Sequence, residues 1–366
     1  MKILVLGAGR MGHGAVYDLV RQADVTEVTV ADAVAERAAR VASTAGNGKA
    51  KPVHLDVTRH ADVVDLMRGH DAVLSCVVYK LNEQLAKAAI EAGTNFCDLG
   101  GNNDVVDAEL ALDAQAKAKG VNVVPDCGLA PGMVAVLVAH GMQRGNFDEV
   151  HIRVGGLPLD PKPPLDYQLV FSVEGLINEY VERARVVRDG KITHVESMTE
   201  LESLDFPEPF GKMEAFQTSG GTSTLPETYR GKLRELDYKT IRYPGHCDKF
   251  KTMIDLGLCS GEARPMFADL LVRNLPADEP DAVLVRVDFA GGGKKLRYQI
   301  IDRYDEASGL SAMMRTTAFP ASIVVQMLAS GAISKRGGVL QELDVPADLF
   351  LDEVGKRGIR IEYAIE

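Results

Sequence analysis

The chain has 366 residues, of which 46% are hydrophobic and 25% charged, a composition typical of a globular protein with about two domains. Its formal net charge of -11 argues against nucleic acid as a partner, because binding phosphates requires clustered Lys and Arg. No uninterrupted apolar run reaches the roughly 20 residues that span a bilayer, so we expect no membrane segment.

The cysteines indicate a reducing environment. There are five, an odd number, and no two of them have CxxC spacing. This usage is typical of a cytoplasmic protein without structural zinc, and the sequence therefore predicts a cytoplasmic location and no metal site.

The N-terminal segment carries a glycine pattern typical of dinucleotide binding. A short apolar strand, KILVL, is followed by GAGRMG and then by a helical segment, with Gly7, Gly9 and Gly12 in GxGxxG spacing. Gly7 permits a tight turn, Gly9 lets the backbone approach a pyrophosphate, and Gly12 lets the helix pack closely on the strand. The pyrophosphate would bind the free N–H groups at the N-terminus of the helix.

The second predicted strand, EVTVAD, ends in Asp32, which favours NAD as the cofactor. A carboxylate at this position would bind the ribose hydroxyls of NAD and repel the 2′-phosphate of NADP. Two alternatives stay open. Asp32 could instead be the N-cap of the helix from Ala33, and the nearby Arg37 leaves room for NADP.

Strands and helices continue to alternate as far as the segment VVPDCGLAPGM, which predicts a Rossmann-type, doubly wound parallel sheet. Ligands bind such a sheet outside the carboxyl ends of its strands. The predicted cofactor contacts are therefore the glycine loop and the residues that end or follow the strands: Gly7, Gly9, Arg10, Met11, Gly12, Asp32, Asp56, Val57, Ser75, Cys76, Val77, Asn82, Asp98 and Gly100.

Two candidate proton carriers lie at the same predicted edge. Asp126 follows the last of these strands, so it either belongs to the active site or only binds backbone N–H groups of its own turn. Lys80 follows the fourth strand, and it would carry a proton if burial lowered its pKa, or else it is a solvated residue at a helix start. The helix after Asp126 is predicted to have Pro131 in its first turn.

From about Glu149 the pattern changes to that of an α+β domain with an antiparallel or mixed sheet. Hairpins are predicted at Asp189-Gly190 and at a GGG turn, and a late helix is predicted with Thr317 as its cap and Gly331 after its end. We expect an NAD-binding domain over 1–148 with a C-terminal return over 315–366. A substrate-binding and dimerisation domain is expected over 149–314.

Two polar segments of the second half are candidate substrate contacts. The run RYPGH places Arg242 and His246 on either side of a Pro-Gly turn, where His246 would act as the general base or be an ordinary surface histidine. The run EGLINEY offers Glu174 for a substrate amine, although a solvated helix face explains this acid equally well.

Several motifs together resemble the saccharopine dehydrogenase-like family, in particular its lysine 6-dehydrogenase branch: PDCGLAPGM, DLGGN, VFSVEGLINEY, TSGGTSTLPETY, IRYPGH and TTAFPASIVVQML. The resemblance implies hydride transfer at a carbon that bears nitrogen, an amino acid substrate and a homodimer. It also implies that Arg242 binds the substrate carboxylate. The expected reaction is NAD-dependent oxidative deamination of the side-chain amine of L-lysine. It releases ammonia and a semialdehyde that cyclises to a piperideine carboxylate.

Two other functions fit the same residues. One is a saccharopine or carboxynorspermidine dehydrogenase or reductase, which would need more cationic groups facing its substrate and would often use NADP. The other is a non-catalytic, NAD-responsive binding protein, in which only the glycine loop and Asp32 would keep their function.

Overall fold

The computed structural model describes residues 1–365 and divides them into two compact units. The first unit is Met1–His140 with Met314–Ile359, and the second is Gly141–Met313 with the described residues from Arg360 onward. These bounds differ from the predicted ones in three places, the smallest being Met314, which belongs to the first unit. Residues 141–148 belong to the second unit because Asp148 donates its N–H to the Ala290 carbonyl at 3.0 Å. Residues 362–365 belong there because they form a strand of its sheet.

The described chain forms sixteen strands. In chain order they are β1 (Lys2–Leu6), β2 (Glu27–Asp32), β3 (Ala50–His54), β4 (Ala72–Ser75), β5 (Asn95–Asp98), β6 (Asn122–Val124), β7 (Glu149–Pro158), β8 (Ala184–Arg188), β9 (Lys191–Val195), β10 (Glu202–Phe206), β11 (Gly211–Gln217), β12 (Glu235–Arg242), β13 (Asp281–Gly291), β14 (Lys294–Arg303), β15 (Gly337–Gly338) and β16 (Glu362–Ile365).

The helices of the described residues alternate with these strands in the first unit and cluster between them in the second. They are α1 (Arg10–Leu19), α2 (Ala35–Thr44), α3 (His60–Met67), α4 (Asn82–Ala92), α5 (Asn103–Leu110), α6 (Asp113–Lys119), α7 (Val134–Met142), α8 (Val173–Val181), α9 (Leu225–Thr228), α10 (His246–Asp255), α11 (Ala263–Asn274), α12 (Ala312–Ser330), α13 (Gln341–Asp344) and α14 (Ala347–Lys356). Within residues 1–365 none of these helices is both long enough and apolar enough to cross a membrane.

The first unit is built on a seven-stranded sheet in which every pair of neighbours is parallel. The strand order is β3-β2-β1-β4-β5-β6-β15, so β1 lies between β2 and β4, where the order of the chain reverses. The central strands are fully buried apolar runs, as expected for a sheet with helices on both faces. The predicted Rossmann-type fold is therefore confirmed, and the carboxyl ends of β1 to β6 share one edge.

The second unit contains a mixed sheet, as the sequence predicts. Its main path is β10-β11-β12-β7-β13-β14-β16, in which β7 and β12 are parallel and the other neighbours are antiparallel. The hairpin of β8 and β9 turns at Asp189-Gly190, and both residues have a positive φ. The hairpin of β13 and β14 turns at Gly292-Gly293 in the same way.

Two helices begin at different residues from those predicted. Helix α7 starts at Val134, and Pro131 lies outside it with ψ of 160°, because the chain first passes through an irregular Ala130–Gly132 segment. Helix α12 starts at Ala312, so Thr317 lies inside it and is not its cap. The N–H groups of Ala312 and Met313 donate to the two carboxylate oxygens of Asp281, at 2.6 and 2.9 Å.

Asp281 is thus a helix cap that is distant in sequence. Replacing it in Asp281→Ala leaves two buried N–H groups unsatisfied, and we expect the free energy of unfolding to fall by about 1–2 kcal/mol. Chemical denaturation measures this change. The control Asp65→Ala removes an exposed carboxylate that pairs only with Arg68, and it should change stability by less than about 0.5 kcal/mol. Equal stabilities of the two variants would contradict the capping role.

Candidate functional site

The glycine loop of the first unit has the geometry that a dinucleotide requires. Gly7 has φ of +98°, and a Cβ at this position would lie 2.8 Å from the Cys76 carbonyl oxygen. A Cβ on Gly12 would lie only 1.9 Å from the Gly7 carbonyl oxygen, whereas one on Gly9 would meet no atom within 4 Å. Gly7 and Gly12 therefore allow close packing, and Gly9 leaves open space beside the backbone.

The N-terminus of α1 is open to an anion. Gly9 is the N-cap residue and provides no side chain to bind the first N–H groups of the helix. Arg10, Met11 and Gly12 form the first turn that follows it. The helix dipole and these N–H groups together suit a phosphate.

Asp32 lies at the end of β2 with its carboxylate held by two backbone N–H groups. One oxygen accepts the N–H of Ala8 at 2.8 Å, and the other accepts that of Val34 at 2.8 Å. The helix that follows has Val34 as its N-cap, and no side chain caps it. Asp32 therefore ties the glycine loop to the end of β2 and presents a fixed negative charge there.

The other predicted cofactor residues follow β3 and β4 at the same edge. Asp56 is exposed, and Thr58 donates both its N–H and its hydroxyl to it, which lowers the pKa of this carboxyl. Ser75 is buried, and its hydroxyl donates to the Asn82 amide oxygen at 2.8 Å. The half-buried residues at these strand ends are Val57, Cys76 and Val77. Their contact with a cofactor stays a prediction.

Asp126 is buried in the first unit, with an exposed fraction of 3% and φ of +63°. A Cβ on Gly100 would lie 1.7 Å from its carboxylate oxygen, so this carboxylate packs directly on the Gly100 backbone. Gln341 donates to its carbonyl oxygen, and Asp98 accepts its N–H at 3.4 Å. Asp126 therefore joins the ends of β5 and β6, while its role in proton transfer stays a prediction.

Asp98 and Glu109 form a buried acidic pair that the sequence does not reveal. Both are fully buried, and Asp98 accepts the N–H groups of Gly100 and Asp126. Burial, together with the neighbouring charges of Asp98 and Asp126, raises the pKa of Glu109 far above its ordinary value. Burial also raises the pKa of Asp98, but the backbone N–H groups that Asp98 accepts favour its ionised form, so we assign the proton to Glu109.

The acids do not form a metal site. In the part of the chain that the structure describes, no group of three or more His, Cys, Asp or Glu side chains is arranged to hold a metal ion.

Lys80 lies in a 3₁₀ turn over Tyr79–Leu81, ahead of α4. Its side chain is exposed, and its ammonium lies 5.9 Å from the centre of the Tyr79 ring. The burial that a proton-carrying lysine requires is therefore absent at this position.

The second unit contains a buried arginine without an acidic partner. Arg242, at the end of β12, is 2% exposed and lies 4.7 Å from the centre of the Tyr167 ring. Its Nε donates to the Tyr180 hydroxyl at 2.8 Å, and its Nη1 donates to the Ile241 carbonyl at 2.9 Å. Within residues 1–365, Nη2 makes no hydrogen bond and the guanidinium makes no ion pair.

A relay of hydrogen bonds fixes this arginine. His246 is fully buried, and its Nδ1 donates to the Leu165 carbonyl at 2.9 Å, so Nε2 accepts the Tyr180 hydroxyl at 3.1 Å. Burial and the charge of Arg242 lower the pKa of His246 to about 3. The imidazole is therefore neutral at physiological pH, and it positions Tyr180, which in turn positions Arg242. A role for His246 as general base stays a prediction.

The acids of α8 are placed differently from expectation. Glu174 is exposed and pairs with Arg264 at 2.8 Å, so it is engaged at the surface of the second unit. Glu179, five residues later, accepts hydrogen bonds from the hydroxyls of Thr218 and Thr240 through a single oxygen. Sequence reasoning named Glu174 for a substrate amine, but the helical spacing places Glu179 and Tyr180 toward the buried arginine.

Comparison with known proteins identifies the family. The model of the saccharopine dehydrogenase NADP-binding domain matches residues 3–124, and that of the saccharopine dehydrogenase C-terminal domain matches residues 128–359. The chain belongs to the saccharopine dehydrogenase family. The resemblance to this family seen in the sequence motifs is thereby confirmed, whereas its lysine 6-dehydrogenase branch stays a prediction, and the first unit is a pyridine-nucleotide-binding domain.

Curated relatives in this family share modest identity with the chain. Saccharopine dehydrogenase (NADP(+), L-glutamate-forming) of Pyricularia oryzae is 27% identical over 284 residues, which are 74% of this chain and 60% of the relative. The enzyme of the same name from Saccharomyces cerevisiae is 24% identical over 287 residues, which are 74% of this chain and 61% of the relative. The match therefore covers about three fifths of the length of these relatives.

A solved structure has the same fold. Apo saccharopine dehydrogenase (L-Glu forming) from Saccharomyces cerevisiae superimposes with a TM-score of 0.81, covering 100% of this chain and 99% of that chain at 20% identity. The two-sheet architecture is thus that of a known member of the family.

The buried Glu109 generates a test of pH-dependent stability. Above its ordinary pKa of 4.5 the unfolded chain releases the proton that the folded chain keeps, so this group lowers stability as pH rises. Glu109→Gln removes that dependence. The free energy of unfolding of the variant relative to that of wild type should therefore increase from about pH 5 to about pH 8, by up to about 1.4 kcal/mol per pH unit.

Thermal unfolding across this pH range measures the effect. The control Glu36→Gln changes an exposed acid in the first turn of α2, and its difference from wild type should not depend on pH. A Glu109→Gln difference that stayed constant with pH would show that Glu109 is ionised in the folded chain.

Proposed function

We propose that the chain is an NAD-dependent dehydrogenase that oxidatively deaminates the side-chain amine of L-lysine, a lysine 6-dehydrogenase. The observation that carries this proposal is the buried guanidinium of Arg242, which has an open Nη2 and no acidic partner among the described residues. An amino acid offers one carboxylate at the end far from its side-chain amine. Arg242 would bind that carboxylate through a charge-assisted hydrogen bond.

The chemistry makes specific demands on the substrate amine. It must be neutral before hydride leaves its carbon, because an ammonium has no lone pair to stabilise the forming iminium. NAD, when bound, supplies the hydride acceptor. Water then adds to the imine, ammonia leaves, and the aldehyde closes on the α-amine as a cyclic imine. Proton transfer from the ammonium is a role that we predicted for Asp126, His246 or Lys80.

The cofactor geometry fits this role. The open space beside Gly9 and the uncapped N-terminus of α1 suit a pyrophosphate, and the fixed carboxylate of Asp32 suits a ribose diol. The same carboxylate would repel a 2′-phosphate. This favours NAD, although the matching domain model and the relatives are described as NADP-dependent.

A second candidate function is saccharopine dehydrogenase. It is favoured by the names of the relatives, which are 24 to 27% identical to this chain. Saccharopine carries two further carboxylates, which would need cationic partners beyond Arg242. The homodimer and the cytoplasmic location stay predictions under either function.

The substrate assignment predicts which compound yields NADH. Incubation with NAD and either L-lysine, L-ornithine or L-saccharopine, followed by NADH absorbance, should show turnover with lysine above the other two. Arg242→Lys, which keeps the charge but loses the planar fork, should raise the KM for lysine by about 10-fold or more. Turnover with saccharopine and none with lysine would overturn the assignment. NADH binding without turnover of any substrate would favour a non-catalytic protein.

Asp32 generates a prediction about cofactor selectivity. Asp32→Asn keeps an oxygen that accepts the Ala8 N–H but removes the charge that repels a 2′-phosphate. We expect the ratio of kcat/KM for NAD to that for NADP to fall by about 10-fold or more. The surface variant Asp65→Asn serves as the control. An unchanged ratio of the kcat/KM values for NAD and NADP in Asp32→Asn would show that this carboxylate does not bind the ribose.

A further inference from the structure

Glu179 is a second charged group of the second unit that lacks an ionic partner. Its Oε1 accepts the hydroxyls of Thr218, at 3.2 Å, and of Thr240, and these two hydroxyls lie 2.7 Å from each other. Among the described residues no cation forms an ion pair with Glu179, and its Oε2 makes no hydrogen bond. The carboxylate is therefore held in place by neutral groups that use one of its two oxygens.

Glu179 and Arg242 belong to the same neighbourhood. Thr240 and Arg242 are two residues apart on β12 and so lie on one face of the sheet, and Glu179 precedes Tyr180, which binds Arg242 directly. Burial acts to lower the pKa of Arg242, yet nearby tyrosines and the Glu179 carboxylate raise it above its ordinary value. The two opposite charges are thus close enough to interact.

These charges do not pair, because each is held by its own hydrogen bonds. Tyr180 and the Ile241 carbonyl hold Arg242, and the two threonines hold Glu179. The atoms left without a hydrogen bond are Nη2 of Arg242 and Oε2 of Glu179, and both are available to a ligand. A ligand that carried a cation and an anion on neighbouring atoms would satisfy both groups and remove the cost of leaving the buried charge of Arg242 and the half-buried charge of Glu179 uncompensated.

We propose that Glu179 binds the α-ammonium of the amino acid substrate while Arg242 binds its α-carboxylate, so that the pair selects substrates with a free α-amine. The inference rests on the proposed function for the identity of the ligand. The competing explanation is that Glu179 only holds the two threonines together. Glutamine distinguishes the two, because its amide oxygen still accepts from the threonines but its neutral amide does not attract an ammonium.

The test compares three ligands that differ by one charged group. L-lysine carries both α-groups, 6-aminohexanoate lacks the α-ammonium, and 1,5-diaminopentane lacks the carboxylate. Dissociation constants are measured by titration of the full-length protein with NADH bound, a complex in which no turnover takes place. Wild type should bind lysine at least about 10-fold more tightly than either analogue, because a charge-assisted hydrogen bond is lost with each.

The variants should separate the two contacts. Glu179→Gln should abolish the preference for lysine over 6-aminohexanoate and keep the preference over 1,5-diaminopentane, whereas Arg242→Lys should weaken only the latter. Glu174→Gln, on the same helix and engaged with Arg264 at the surface, is the matched control and should keep both preferences. If Glu179→Gln lowers the melting temperature, Glu179→Asp replaces it as the test variant. This variant withdraws the carboxylate by one methylene and should reduce the preference for lysine over 6-aminohexanoate.

Two results would overturn the proposal while leaving the proposed function standing. They are an undiminished preference for lysine over 6-aminohexanoate in Glu179→Gln, and the absence of that preference in wild type. If wild type turns over saccharopine and not lysine, the proposed function fails, and L-saccharopine, which also has a free α-amine, becomes the ligand. Weaker saccharopine binding by Glu179→Gln would then support the ammonium contact, and unchanged binding would overturn it.

Discussion

A guanidinium buried without an acidic partner is the constraint on which the second unit depends. Removing a charge from water costs several kcal/mol unless hydrogen bonds and an opposite charge compensate for it. Arg242 receives only part of that compensation, from the Tyr180 hydroxyl, the Ile241 carbonyl and the face of the Tyr167 ring. The neutral state of His246 belongs to the same arrangement, because a protonated imidazole would place a second buried cation beside the first.

On the opposite face of the same sheet, the charge of another buried arginine is compensated by acidic partners. Asp237 and Lys239 alternate along β12 with Thr240 and Arg242, so they point to the other side. There Arg153 pairs with Asp237 at 2.7 Å and also with Glu202. Burial acts to raise the pKa of Asp237, but the hydrogen bond from His151 and the charge of Arg153 hold it well below its ordinary value. The chain can therefore neutralise a buried arginine on this sheet, and on the side of Arg242 it leaves the neutralisation incomplete. That contrast is the physical ground for treating Arg242 as a binding group.

The sequence predicts features that depend on local sterics, but it does not reveal those that depend on contacts between distant residues. Gly7, Gly9 and Gly12 could be given distinct tasks from spacing alone, because a Cβ would clash at Gly7 and Gly12, whereas at Gly9 it would take up the open space beside the backbone. The hairpin at Asp189-Gly190 follows from two residues that tolerate positive φ. By contrast, the start of α12 depends on Asp281, thirty-one residues earlier, and no local pattern reports it.

The same distinction between local features and distant contacts applies to the residues of the candidate site. Arg242 and His246 were singled out because they flank a Pro-Gly turn, but their link passes through Tyr180 on another helix, more than sixty residues away. That link shows that His246 accepts the Tyr180 hydroxyl, while its role as general base stays a prediction. Glu174 and Glu179 cannot be told apart by residue type, since both are acids on one short helix. Only the packing of α8 places the first at the surface beside Arg264 and the second beside Thr240.

The segment VVPDCGLAPGM shows why residue type alone is a poor guide to the role of an acid. A carboxylate at the end of a parallel strand points to ligand binding in general, and Asp126 occupies such a position. Yet its side chain packs on Gly100, its carbonyl is held by Gln341, and the buried Glu109 adds a third carboxyl to Asp98 and Asp126. Burial and the charges of Asp98 and Asp126 raise the pKa of Glu109, so a proton on Glu109 lowers the net charge of this group. In the first unit a proton on Glu109 thus reduces the charge of the buried acids that join the ends of β5 and β6. In the second unit Arg242 and Glu179 each keep an atom without a hydrogen bond, and a ligand would bind there under the proposal made above.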